Sequence, residues 1–128
     1  MYYLGVDPGK SKVGLAVVNQ HLEFIAGLIV EKNNFTKEIK RLEQSYEFKK
    51  VILGDGTYCD CLITILKKMS FEYIIIDESN STLIAKEEYW ENNPPSGLKK
   101  LLPISLQSPP RAIDDYAAFV IAKRYLKD

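Results

Sequence analysis

The sequence predicts an α/β domain: one mixed sheet with helices on both faces. Two observations carry this reading. Three apolar, partly alternating runs open the chain with only short turns between them, as in an antiparallel meander. The runs that follow alternate with segments of helical period, so the later strands are joined by crossovers and lie parallel.

Residues 2–7, 12–19 and 22–31 are rich in Val, Ile, Leu and Tyr and read as the three meander strands. Asn19-Gln20-His21 between the second and third is hairpin-turn chemistry, and the single His21 is read as a turn residue. From Phe35 the period changes. Phe35, Ile39, Leu42 and Tyr46 recur at helical spacing, with Asn33 or Asn34 placed to cap the start. Val51-Ile52-Leu53-Gly54 is a short buried strand, and Leu62, Ile65, Leu66 and Met69 mark a second amphipathic helix. Tyr73-Ile74-Ile75-Ile76 reads as a strand too hydrophobic for a sheet edge, followed by a helix near 81–91. Pro94-Pro95, Gly97, Pro103 and Pro109-Pro110 break up 92–111, leaving room for a short helix at Leu98–Leu102. The final helix, about 111–126, carries Ile113, Ala117, Ala118, Ile121 and Ala122 as a small-residue face suited to close packing on a sheet.

The chain has 128 residues, 46% of them hydrophobic, which suits one domain spanning 1–128 with its own core. Lys+Arg and Asp+Glu are equal at 17 each, so no global field attracts a polyanion and any nucleic-acid contact depends on a local patch. No apolar stretch approaches the ~20 residues needed to span a bilayer, and the amino terminus lacks a signal-peptide layout; a soluble, cytoplasmic protein is expected. Cys59 and Cys61 are the only cysteines, and no further Cys or nearby His completes a zinc set.

Acidic residues stand where strands end or helices begin: Asp7 on the first strand, Asp77-Glu78 after the Tyr73 strand, and Asp114-Asp115 at the head of the last helix. Taken singly each has an ordinary use, since Asp before Pro-Gly forms turns and acidic residues favour helix starts. Together, on this element order, they are placed to converge at one end of the sheet. Carboxylate oxygens without histidine or thiolate suit hard octahedral cations such as magnesium or manganese, and such clusters serve phosphodiester chemistry.

The motifs now on the page resemble the RNase H-like superfamily, and within it the Holliday-junction-resolvase-like group that includes the RuvC resolvases and the YqgF (RuvX) family. Leu4-Gly5-Val6-Asp7-Pro8-Gly9 is similar to the resolvase opening, and Lys12-Val13-Gly14-Leu15-Ala16-Val17 to the YqgF continuation. Val51–Gly54 resembles the family's central strand, Asp77-Glu78-Ser79-Asn80-Ser81-Thr82 its Asp-Glu-Arg-x-Ser-Thr motif, and Ile113-Asp114 with Ala117-Ala118 and Ile121 its carboxy-terminal helix. The resemblance implies an RNase H-like fold and a Mg2+- or Mn2+-dependent endonuclease, junction-resolving or processing precursor rRNA, acting on branched DNA or structured RNA. Asp7, Glu78 and Asp114 take the three acidic positions, as catalytic residues and metal ligands. Asp77 is the alternative to Glu78, because neighbours at a strand end face opposite ways, and Asp115 the alternative to Asp114.

The chain departs from the pattern at three places. Ser79 stands where the family has an arginine, Asp55-Gly56-Thr57 replaces a Pro-Leu-containing loop, and Ala117 occupies a position that is often acidic in resolvases. Asp115 adds a carboxylate, but about 100° further round the helix, so Asp114 is expected to face the strand ends and Asp115 to point away. Lys10, Lys12 and Arg111 are the candidate phosphate contacts, while Lys99-Lys100 reads as a solvated face and Tyr89-Trp90 as packing. A homodimer is left open. Gly5 to Ser11 nearly spells a P-loop but has three residues between its glycines and a strand afterwards, and a sugar-kinase fold needs two such lobes. The strongest alternative to the nuclease is a non-catalytic nucleic-acid-binding or interaction domain on the same fold.

Overall fold

The computed structural model describes residues 1–79, 81–94, 109 and 111–127. The elements follow the expected order: β1 (Tyr2–Pro8), β2 (Lys12–Asn19), β3 (Phe24–Glu31), α1 (Phe35–Ser45), β4 (Phe48–Gly54), α2 (Cys59–Lys68), β5 (Tyr73–Ile76), α3 (Ser81–Asn92) and α4 (Asp114–Leu126). The sheet order is β3-β2-β1-β4-β5, with β1 antiparallel to β2, β2 antiparallel to β3, and β4 parallel to both β1 and β5. The strand that carries Asp7 is therefore central.

Alternation along the strands divides the core in two. Leu4, Val6, Val13, Leu15, Val17, Val51 and Leu53 turn to one face and pack with Phe35, Ile39 and Leu42 of α1 and Leu62 and Leu66 of α2. Ala16 and Val18 turn to the other, against α4 and α3 through Ala118, Phe119, Ala122, Ala85 and Trp90. On this second face Gly5 and Gly14 let α4 lie directly on the sheet: a Cβ on Gly5 would collide with the Ala118 carbonyl, and one on Gly14 with the Asp114 carbonyl. Tyr89 and Trp90 are buried in this second core, as packing residues.

Several expectations change. β3 starts at Phe24, because the Asn19 side chain accepts the backbone N–H groups of His21 (2.9 Å) and Glu23 (3.0 Å) and Leu22 turns through φ 65°. No asparagine side chain caps α1; a 3-10 turn over Lys32–Asn34 feeds it instead. α4 begins at Asp114, three residues later than the sequence pattern suggests. β4 runs from Phe48, three residues before the apolar run. β5 is an edge strand, against the expectation drawn from its composition, and Ile75 is 43% exposed. Ile74 and Ile76 on the α4 face line a groove with Arg124, Tyr125 and Lys127 and are half-buried there. Leu98–Leu102 and Lys99-Lys100 lie outside the described residues. No helix among the described residues is long and apolar enough to cross a membrane.

Candidate active site

The site forms where β1, β4 and β5 end, on the face covered by α4. Asp7 is paired in register with Gly14, the residue on which the Asp114 main chain rests. That register sets Asp114 over the strand next to Asp7, close enough for its charge to act on Asp7. Glu78 enters from the far side. Its carboxylate fills the space over Gly54 and Gly56, where added Cβ atoms would collide with Oε2 and Oε1 respectively. These two glycines act through the room they leave, and any side chain at either would evict Glu78.

Asp7 and Glu78 come within hydrogen-bonding reach of each other. Burial, then the charges of Glu78 and Asp114, then the bond to Glu78 raise the Asp7 pKa from 3.8 to about 7. Glu78 is raised as well, first by burial and then by Asp55 and Asp77, with the bond to Asp7 and the Arg124 charge acting in opposition. Oε2 of Glu78 is buried with no partner when both carboxyls are ionised. The pair therefore shares a proton or needs a cation, because two adjacent buried carboxylates repel.

Asp77 turns outward. Its Oδ1 accepts bonds from the Ser79 backbone N–H (2.9 Å) and hydroxyl (2.6 Å), and these bonds hold its pKa below the usual carboxylate value. Asp115 is 6% exposed, rather than facing solvent on the far side of the helix. Its carboxylate lies beside Gly27 of β3, accepts two bonds from Arg111 (3.1 and 3.2 Å) and one from the Tyr116 backbone N–H (3.0 Å). Arg111 also sits over the rings of Tyr89 and Tyr116, so much of its donor capacity is spent on anchoring α4. Lys10 and Lys12 are exposed at the β1–β2 turn.

The three expected carboxylates thus reach one end of the sheet, but they do not close into a ready-made ligand set. Among the described residues no group of three or more His, Cys, Asp or Glu side chains stands close enough together to hold an ion. Asp7 and Glu78 are in contact, and Asp114 acts on Asp7 through its charge.

Two supporting residues escaped the sequence reading. Asp55 accepts the Glu78 backbone N–H at 3.2 Å, and its own N–H donates to the Ile76 carbonyl at 3.0 Å, lacing β4 to the end of β5. Arg124 of α4 donates to the Asp77 carbonyl at 2.7 Å and to the Ser79 carbonyl. Asp55 had a visible signal, an acidic residue directly after a buried strand and beside a glycine. Arg124 had none, since a basic residue in the last turn of a helix is ordinary.

The chain is similar along most of its length to two solved resolvase structures. The Fowlpox virus resolvase, in complex with substrate Holliday junction DNA, matches with a TM-score of 0.65 and 16% identity, covering 99% of this chain and 97% of that one. The RuvC of Thermus thermophilus in complex with Holliday junction substrate matches with a TM-score of 0.62 and 16% identity, covering 95% and 90%. This is the RNase H-like fold of the junction resolvases. The ROK hexokinase of Thermus thermophilus aligns with 70% of this chain but 37% of its own, at 14% identity and a TM-score of 0.50, so more than half of the kinase has no counterpart here. No protein-family model and no curated protein matches the sequence.

Proposed function

We propose that the chain is a divalent-metal-dependent endonuclease that cuts structured nucleic acid, with branched DNA as the first substrate class and Asp7, Glu78 and Asp114 as its acidic site. The observation that carries the reading is the Asp7–Glu78 pair at the end of the central strand with Asp114 set above it, on a fold shared with two proteins bound to Holliday junctions. The donor chemistry fits magnesium or manganese. All three side chains offer oxygen, the Glu78 Oε2 lacks a partner, and the charge repulsion that keeps a proton on the pair would be relieved by a cation. When bound, such an ion supplies Lewis-acid polarisation of a phosphodiester and a more acidic water.

The protein's own groups have distinct tasks in this reading. Glu78 and Asp7 hold ligand oxygens in a fixed, partly buried position, and burial strengthens every charge interaction there. Asp114 adds negative charge from the helix side. Lys10 and Lys12 neutralise phosphates beside the site, with Arg111 contributing what its bonds to Asp115 leave free. The resemblance of Asp77-Glu78-Ser79 to the YqgF motif makes precursor rRNA the second substrate class. A homodimer would allow two sites to act on one symmetric junction.

The test is cleavage of a four-way DNA junction, a matched linear duplex and a structured precursor RNA, each with manganese, with magnesium and with EDTA. Junction-selective, cation-dependent cutting is the expected result. Binding without cutting under every condition would replace this reading with a non-catalytic binding domain.

A further inference from the structure

We propose that Arg124, reaching from α4, is a positioning residue that aims Glu78 into the site. The inference rests on the functional reading above for its consequence in cleavage, and on geometry alone for the clamp itself.

The guanidinium of Arg124 straddles Glu78, with one nitrogen donating to the carbonyl before it, on Asp77, at 2.7 Å, and another to the carbonyl after it, on Ser79. A rigid fork that binds these two carbonyls fixes the peptide plane that leads into Glu78 directly and anchors the chain again one residue past it, which restricts the direction of the Glu78 Cα–Cβ bond. Other backbone groups of the turn are tied as well. Asp55 takes the Glu78 N–H at 3.2 Å, the Ser81 N–H donates to the Glu78 carbonyl at 3.0 Å, and the Asp77 carboxylate takes the Ser79 N–H at 2.9 Å. Of these ties, only the Arg124 one comes from α4, the helix that begins with Asp114. Ten residues separate the two, about 15 Å of helix, so Arg124 secures the far end of α4 to the turn that carries Glu78. Glu78 and Asp114 are thereby held in one frame, although they arrive from opposite sides of Asp7.

Among the described residues Arg124 donates its hydrogen bonds to backbone carbonyls only, so its removal should change catalysis without changing substrate affinity. The full chain is compared as wild type, Arg124→Lys and Arg124→Ala. Amide hydrogen exchange in EDTA, without substrate, reads the clamp directly. Protection of the Glu78 and Ser79 amides should fall at least about tenfold in Arg124→Ala relative to those of Leu4, Val6 and Ile52, with Arg124→Lys intermediate because one ammonium cannot hold two carbonyls in a fixed plane. With a junction substrate and manganese, kcat should fall at least about tenfold while KM stays within about twofold, and millimolar guanidinium ion should restore part of the rate to Arg124→Ala.

Selective loss at Glu78 and Ser79 with a kcat-only defect supports the proposal. Unchanged protection at those amides overturns it, and so does an equal loss across the whole sheet, which marks a general stabilising role. A rise in KM with kcat retained also overturns it, by placing Arg124 on the substrate. If the wild type cuts nothing but the two amides lose protection selectively, the clamp stands and the nuclease reading fails.

Discussion

Asp7→Asn should make the metal-free protein more stable while abolishing cleavage. In the folded chain the Asp7 pKa is raised from 3.8 to about 7, so the native state keeps a proton that the unfolded chain releases. The contribution of Asp7 to stability is therefore fully present below its unfolded value and is lost as pH rises through the folded one. Each unit is worth about 1.4 kcal/mol, and the shift corresponds to a loss of at most roughly 4 kcal/mol by the time Asp7 is ionised. Asparagine has the same shape, carries no charge, and its amide can donate to the Glu78 carboxylate that lies within its reach. In EDTA at about pH 8, the variant should exceed wild type by about 2–4 kcal/mol in urea unfolding, and the difference should shrink towards zero near pH 4.

Millimolar magnesium or manganese should then raise the midpoint of the wild type and leave Asp7→Asn nearly unmoved, because only a ligand that binds the native state stabilises it. A difference that does not grow with pH, or an asparagine variant that is less stable at pH 8, would refute the account of Asp7 as a strained carboxyl awaiting a cation. Unchanged turnover by the variant would reject Asp7 as a ligand whatever its stability.

Three further outcomes are expected. Gly54→Ala places a Cβ against the Glu78 carboxylate and should abolish cleavage while junction affinity in a calcium-only gel-shift assay is retained; full activity would show that Glu78 is not needed where it lies. Asp114→Asn should lose cation-supported cleavage with little change in stability, whereas Asp115→Asn should keep most of the cleavage and lose about 2 kcal/mol through the weakened Arg111 pair, with the reverse pattern rejecting the assignment of Asp114. Junction binding should weaken steeply with salt, since with 17 basic and 17 acidic residues attraction depends on a local patch that displaces counterions; a flat titration between about 50 and 200 mM would argue against phosphate-led binding.

Most of the fold was legible because its elements differ in period. The meander, the crossovers and even the bounds of β5 follow from alternation and from continuous apolar runs. Position within the sheet was less legible. Tyr73–Ile76 has the composition of an interior strand, yet it lies at the edge with no residue fully buried, because composition does not report which strands pair on either side. α4 shows the same limit from the other side. Its stripe of alanines marks the sheet contact correctly, but residues 115–122 are all buried, with α3 packed against the same helix, so a residue off the stripe is not thereby at the surface. Asp115 could be buried away from the site because Arg111, four residues earlier, neutralises it there.

The choice between Asp77 and Glu78 shows what local chemistry adds to a motif. Alternation left both residues open, since neighbours at a strand end face opposite ways. Ser79, at the position where the motif it resembles has an arginine, completes an Asp-x-Ser sequence, in which an aspartate side chain accepts from the backbone and hydroxyl two residues on. Asp77 makes both of these bonds, and a carboxylate spent on its own turn is not free to face Asp7. Once Asp77 is committed outward, Glu78 has one direction left, into the space over Gly54 and Gly56. Ser79 thus helps select which neighbouring carboxylate enters the site, and Arg124 of α4 binds the main chain on either side of that carboxylate.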